Sequence, residues 1–170
     1  MDEKRLKQAE QNFKRFLDEK LIIKQEFKQI IYDTFVKNAN ESLTVAEELF
    51  KNKTSALWTI VSSYYSMFYM ASALIYTKRY KAQHKIVHQI INETLIVLCY
   101  KEIKNQLLEE YEEEKEKALS IAENLLNNYE FEKNKRSKFQ YETTETIKFS
   151  KAETSLKRAK EFMAMIRKII

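Results

Sequence analysis

The sequence predicts an all-α fold, an antiparallel helical bundle with an N-terminal helical extension, and three observations carry that expectation. Glycine and proline are both absent from the 170 residues, whereas average usage would supply about 12 per cent of them together. Apolar side chains recur at spacings of three and four along most of the chain. The run from Ala56 to Tyr76 carries no charge, and a helix that is apolar all round belongs in the middle of a bundle. Tight hairpin turns mostly require Gly or Asn at positive φ, so an all-β or doubly wound design is disfavoured.

Residues 2 to 18 read as a charged amphipathic helix with Leu6, Ala9, Phe13, Phe16 and Leu17 on one side. A second helical stretch is expected from 21 to 51, through Ile23, Phe27, Ile30, Ile31, Phe35, Ala39, Leu43, Ala46, Leu49 and Phe50, with a kink or split at Asn38 to Asn40. In KNKTSA, Asn52 suits a helix C-terminus, and Thr54 or Ser55 suits the cap of the central helix that starts at Ala56. Small residues of that helix, among them Ser62, Ser63, Ser66, Ala71, Ser72 and Ala73, let neighbours approach closely while the hydroxyls bond back one turn.

The central helix should end near Thr77, and Ile86, Val87, Ile90, Ile91, Val97 and Leu98 mark another helix to about Lys104. The acidic EEYEEEKEK is a solvated part of the next helix, whose core side is Tyr111, Ala118, Ala122, Leu125 and Tyr129. Residues 134 to 149 break the periodicity and form the longest loop. Ser150 with Glu153 reads as a capping box, and Ala152, Leu156, Ala159, Met163, Ile166 and Ile170 give one stripe along the last helix.

Composition also bounds the chemistry. Gly-rich phosphate loops need positions without a Cβ, so Walker and dinucleotide-binding chemistry is excluded. Lys and Arg total 30 against 25 for Asp and Glu, a net charge of +5 that permits a nucleic-acid partner without demanding one. The single Cys99 cannot form an internal disulfide, and the charged N-terminus MDEKRLKQAEQNFKRF has no apolar signal core, so a cytoplasmic protein is expected. The uncharged run is long enough to span a bilayer, but its serines and tyrosines argue for a buried helix and no membrane.

Four segments in order resemble one family. ANESLTVAEELFKN resembles a first core helix, ALWTIVSSYYSMFYMASALI a second helix with paired tyrosines, AQHKIVHQII the start of a third, and RSKFQY with SKAETSLKRAKEFMAMI the last. Together they resemble the HEPN domain family, in its Tyr-Tyr-helix branch, over roughly residues 36 to 170, with residues 1 to 35 as an N-terminal helical extension. The resemblance implies an up-and-down bundle of four main helices, a homodimer, and toxin-type proteins partnered by a nucleotidyltransferase antitoxin. It further implies metal-independent ribonuclease activity in members that carry an arginine followed after a few residues by a histidine; others bind partners or nucleotides without catalysis.

Arg79 and His84 fit that spacing in RYKAQH. Metal-free RNA cleavage needs a group with a near-neutral pKa to move the 2′-hydroxyl or leaving-group proton, and a fixed cation on the phosphate. His84 and Arg79 supply these roles as the catalytic pair. The bland reading stands beside it: a helix-start histidine and a surface arginine, since Tyr80 follows the arginine where catalytic members often carry a polar residue. His84 and His88 share metal-ligand spacing but have no third ligand, so neither a metal nor another cofactor is expected.

Lys78, Tyr80, Lys81, Lys85 and His88 form one candidate RNA- or nucleotide-binding cluster, and Lys135, Arg136, Lys138 and Tyr141 a second. Both fall at helix ends. Basic groups hold phosphate while aromatics stack unpaired bases, so single-stranded RNA is the natural ligand. Tyr64 and Tyr65 point about 100° apart on a helix, so one faces the core and at most one a cleft.

Overall fold

The computed structural model describes residues 1–83, 86–134 and 148–170, with 125–134 as backbone alone, and within them six helices pack, four of them around a central fifth. They are α1 (Glu3–Asp18), α2 (Gln29–Lys51), α3 (Ala56–Thr77), α4 (Val87–Cys99), α5 (Asn105–Asn134) and α6 (Phe149–Ile166). Two short strands, β1 (Ile22–Lys24) and β2 (Tyr80–Ala82), pair antiparallel. The all-α bundle is therefore as expected. Among the described residues no helix is long and apolar enough to cross a membrane.

Helix α3 is the central element, packed against α2, α4, α5 and α6. Ser55 caps it by accepting from the Trp58 amide at 3.2 Å. The buried Ser63 hydroxyl finds no partner among the described residues, while three other buried hydroxyls bond back: Thr59 donates to the Ser55 carbonyl, Ser66 to the Ser63 carbonyl and Ser72 to the Phe68 carbonyl. Such bonds let a helix of high serine content bury without leaving those oxygens unmet. Tyr64, Met67, Met70, Leu74, Ile75 and Tyr76 are all fully buried in its core face. Cys99, at the end of α4, lies in the same core, where burial pushes its thiol up to about 12.

Helix α1 lies on α4 through Ala9 and Phe16. Its polar side is joined by a network: Arg5 forms a bidentate pair with Glu93 at 2.8 and 2.9 Å and also donates to Glu112, which accepts from Asn92. Glu93 is only 5 % exposed, so the guanidinium is the partner that makes its burial tolerable. Burial opposes the charge on Arg5, and the two carboxylates outweigh that, raising its pKa.

Several expectations are corrected. The stretch from 21 to 51 is not one helix: Lys20 takes a left-handed φ of 55°, Leu21 and Lys20 donate to Phe16 and Leu17 carbonyls, and the chain then runs extended through β1 before α2. Conversely α2 continues without a break through Asn38 to Asn40, because Ala39 is fully buried and helical packing there needs a small side chain. Helix α4 stops at Cys99 rather than near Lys104. Ala122 faces solvent, and Ile121 takes its place beside Ala56, Ile60, Val61 and Ala152. The cap of α6 is Lys148, without a side-chain bond, and Ser150 sits inside the first turn, where its carbonyl accepts from Thr154. The α6 stripe is buried from Ala152 to Ile166, but Ile170 lies past the helix and is partly exposed.

Candidate functional site

The Arg79 segment begins where α3 runs out. Lys78 is the C-cap residue and Arg79 follows at φ 71°, the left-handed position that glycine usually fills. Its amide donates to the Tyr76 carbonyl at 2.9 Å. The left-handed turn reverses the chain into β2, which pairs with β1 so that Lys24 lies opposite Tyr80, Ile23 opposite Lys81 and Ile22 opposite Ala82.

Two further backbone bonds extend this ribbon at both ends: the Gln25 amide donates to the Arg79 carbonyl at 2.9 Å, and the Gln83 amide to the Leu21 carbonyl at 2.8 Å. Every residue from Arg79 to Gln83 is thereby tied to the N-terminal segment. The same segment is anchored from below by buried Tyr76, whose hydroxyl accepts from the Gln25 side chain and the Lys28 amide, both at 3.0 Å. A buried phenol satisfied in this way fixes the path of residues 25 to 28.

The side chains on the ribbon differ in what they can offer. Lys78 is occupied, its ammonium 2.6 Å from Glu102, and that bond chiefly raises its pKa. The exposed Arg79 guanidinium stands over the Phe27 ring, Cζ 5.5 Å from the centroid. Tyr80 is held edge-on by Phe13 at 5.5 Å between centroids, and the Lys24 ammonium lies 5.3 Å from its ring centre. Lys81 borders a small, mostly apolar cavity of about 100 Å³ with Phe35, Phe68 and Tyr80. Arg79, Lys24 and Lys81 form no ion pair with a carboxylate of the described residues.

His88 occupies a different setting in the first turn of α4. Its Nδ1 is 2.7 Å from the Tyr64 hydroxyl, and its ring lies 4.5 Å from Phe68 and 5.7 Å from Tyr65 between centroids. Burial lowers its pKa, and the nearby Lys115 charge lowers it further, so the imidazole is neutral at physiological pH. Burial likewise pushes the Tyr64 phenol up, which keeps it a hydrogen-bonding hydroxyl. Tyr64 is fully buried while Tyr65 is half-buried, the division their helical spacing implied.

Of the residues singled out in the sequence, Arg79, Tyr80 and Lys81 are brought together on the ribbon, Lys78 is turned to Glu102, and His88 joins the aromatic cluster. His84, Lys85, Lys135, Arg136, Lys138 and Tyr141 lie outside the described residues. Sequence reasoning missed Lys24, Phe27 and Phe13, which enclose the Arg79 segment. Their one signal was the β-branched pair Ile22 and Ile23, too short to distinguish from a helical stretch. Among the described residues no three His, Cys, Asp or Glu side chains are grouped to hold a metal ion.

A bundle built around one uncharged helix, with a histidine-bearing helix following its C-terminus, defines the class of fold. The HEPN domain family model matches residues 32–169. The chain therefore belongs to the HEPN domain family. No curated protein matches it.

Proposed function

We propose that this HEPN protein binds single-stranded RNA at the α3–α4 connection and cuts it without a metal, as a toxin-type homodimer neutralised by a nucleotidyltransferase antitoxin. Residues 1 to 35 serve as an extension of the 36 to 170 bundle. The observation that carries the reading is the Arg79 guanidinium: exposed, stacked on Phe27 and with no carboxylate partner among the described residues. With its charge cancelled by no described carboxylate, the guanidinium at the turn between α3 and β2 is available to an anion.

In this mechanism His84 moves the 2′-hydroxyl proton to start attack on the adjacent phosphorus, or returns a proton to the departing 5′-oxygen. Arg79 stabilises the charge that develops on the phosphoryl oxygens. Lys81, Lys85 and Tyr80 hold the strand, with Lys135, Arg136, Lys138 and Tyr141 as the second basic and aromatic group, and Lys78 steadies the turn through Glu102. His88, neutral and oriented by Tyr64, follows His84 by four residues in sequence and serves as a second polar group. A homodimer is supported by the groove of about 450 Å³ between α2 and α3, where Val45 and the 52 % exposed Trp58 meet Tyr65, whose ring edge touches His88.

One observation favours a second reading, a non-catalytic module that engages a nucleotidyltransferase partner or a nucleotide. Tyr80, at the position after the arginine where catalytic members often carry a polar residue, has its ring packed edge-on against Phe13. The test is cleavage of a mixed single-stranded RNA pool in EDTA by the purified protein beside His84→Ala. Loss of cleavage in the variant supports the ribonuclease; absence of cleavage by both, or equal cleavage, leaves the binding module.

A further inference from the structure

The two strands of the ribbon come from either side of the start of the family match: β1 precedes residue 32, where the match begins, and β2 lies inside it. The N-terminal segment thus contributes to the same surface as the Arg79 motif. Residues 20 to 28 hold Lys20, Lys24 and Lys28 against one carboxylate, Glu26, while residues 77 to 83 hold Lys78, Arg79 and Lys81 and no carboxylate. Only Lys78 of these six cations is neutralised by a described carboxylate.

The geometry points to β1 as the second half of the nucleic-acid surface, with Lys24 contacting the phosphates of single-stranded RNA bound at Arg79 and Lys81. This rests on the RNA reading given above and assigns the extension a direct part in it. Lys24 is exposed and held over Tyr80, and Arg79 is held over Phe27. The stacks are reciprocal. Tyr80 of β2 takes Lys24 of β1, and Phe27, three residues after β1, takes Arg79, the residue before β2, so each cation rests on a ring from the other side of the ribbon.

A long cationic side chain normally loses rotamer freedom when it grips a phosphate. Resting on an aromatic face, it has given up part of that freedom already, and the charge remains free because a ring, unlike a carboxylate, does not cancel it. A surface built only for solubility would interleave acids with these lysines. RNA fits better than an acidic protein because the cations follow a narrow two-stranded ribbon beside half-buried aromatic rings, a form suited to a backbone with bases alongside.

The experiment is fluorescence anisotropy of the full chain with a labelled mixed-sequence 2′-O-methyl RNA 20-mer, which lacks the attacking 2′-hydroxyl and so stays intact, in EDTA over a series of salt concentrations, for wild type, Lys24→Gln and Lys157→Gln. Lys157 is an exposed lysine of α6, whose neighbour Lys160 bonds Glu47 near the far end of α2. Each phosphate contact on a single strand contributes about 0.7 to the log–log salt slope, so Lys24→Gln should lower that slope by about 0.7 and weaken binding about fivefold near 0.1 M salt. Lys157→Gln should bind as wild type does.

Steep, salt-dependent binding that Lys24→Gln leaves unchanged would overturn the role of β1 while leaving RNA binding at Arg79 intact. No RNA binding by the wild type would overturn both. Poly-L-glutamate of matched charge provides the remaining arm: competition as effective as unlabelled RNA would mark a general docking surface for acidic protein and reject the assignment.

Discussion

The phenolic oxygen of Tyr64 and Nδ1 of His88 lie 2.7 Å apart, joining the buried face of α3 to the first turn of α4. The bond fixes the imidazole of the one histidine among the described residues. Tyr64→Phe removes one hydrogen bond and leaves Nδ1 unmet, for an expected loss of about 1 kcal/mol. Thermal unfolding at neutral pH should fall by roughly 2–4 °C. An unchanged midpoint would mean that the bond contributes nothing net.

The same histidine makes stability depend on pH. Its folded pKa is depressed below the ordinary 6.5, first by burial and then by Lys115. Above that value both folded and unfolded chains hold it neutral, and its contribution is fully present. As pH falls below it, the unfolded chain takes up a proton that the folded chain resists, so stability declines. Unfolding midpoints of wild type should drop between about pH 7.5 and about pH 5.5, where most carboxylates are still ionised, and His88→Asn should lose that component. Parallel curves for the two proteins would refute it.

Arg79 offers a substitution that separates chemistry from folding. Its φ of 71° is the conformation a glycine adopts without steric cost, whereas an ordinary residue there gives up about 1 kcal/mol. The stack on Phe27 returns roughly 0.5–1 kcal/mol. Arg79→Gly should therefore melt within a few degrees of wild type while RNA cleavage falls at least about 100-fold, the scale of a lost transition-state contact. Full activity in a folded Arg79→Gly protein would remove the arginine from the mechanism.

A related gain is expected at Lys53, which ends α2 with φ 50° while its amide and that of Thr54 donate to the Phe50 and Leu49 carbonyls. That hydrogen-bonding pattern ordinarily carries glycine. Lys53→Gly should raise stability by up to about 1 kcal/mol, read as a higher urea midpoint with an unchanged slope.

Arg5 provides the opposite case. Arg5→Met leaves Glu93 and Glu112 without their cation in a partly buried setting, and stranding such charges costs about 3 kcal/mol. The double change with Glu93→Leu should recover much of the loss. If the single variant unfolds with wild type, α1 is held to α4 by its apolar face alone.

Much of this architecture was legible in the residues. The uncharged run located α3 to the residue, because twenty-odd positions without charge cannot be solvated and its Ser55 cap is chemically distinctive. The division of Tyr64 from Tyr65 followed from helical geometry. The ribbon was not legible. Three residues per strand are too few for a period of two to emerge, and the pairing partner of Ile22 lies beyond two helices, where no local pattern reports it. Local rules also failed at Ser150: its spacing to Glu153 satisfies a cap, but the helix begins before it, at Phe149, which packs with Phe50. Arg79 and Lys81 could be singled out because charge and spacing are visible in sequence; Lys24 and Phe27 could not, since only folding brings them alongside.

The ribbon also sets an order of assembly. Strand β1 is made before β2, and its backbone groups have no partner until α2 and α3 have been made and folded back to deliver β2. A nascent chain that has not yet delivered β2 therefore holds Lys24 without the Tyr80 ring on which it rests. Maturation of the surface becomes a late checkpoint in the life of each molecule, reached only once the central helix is in place.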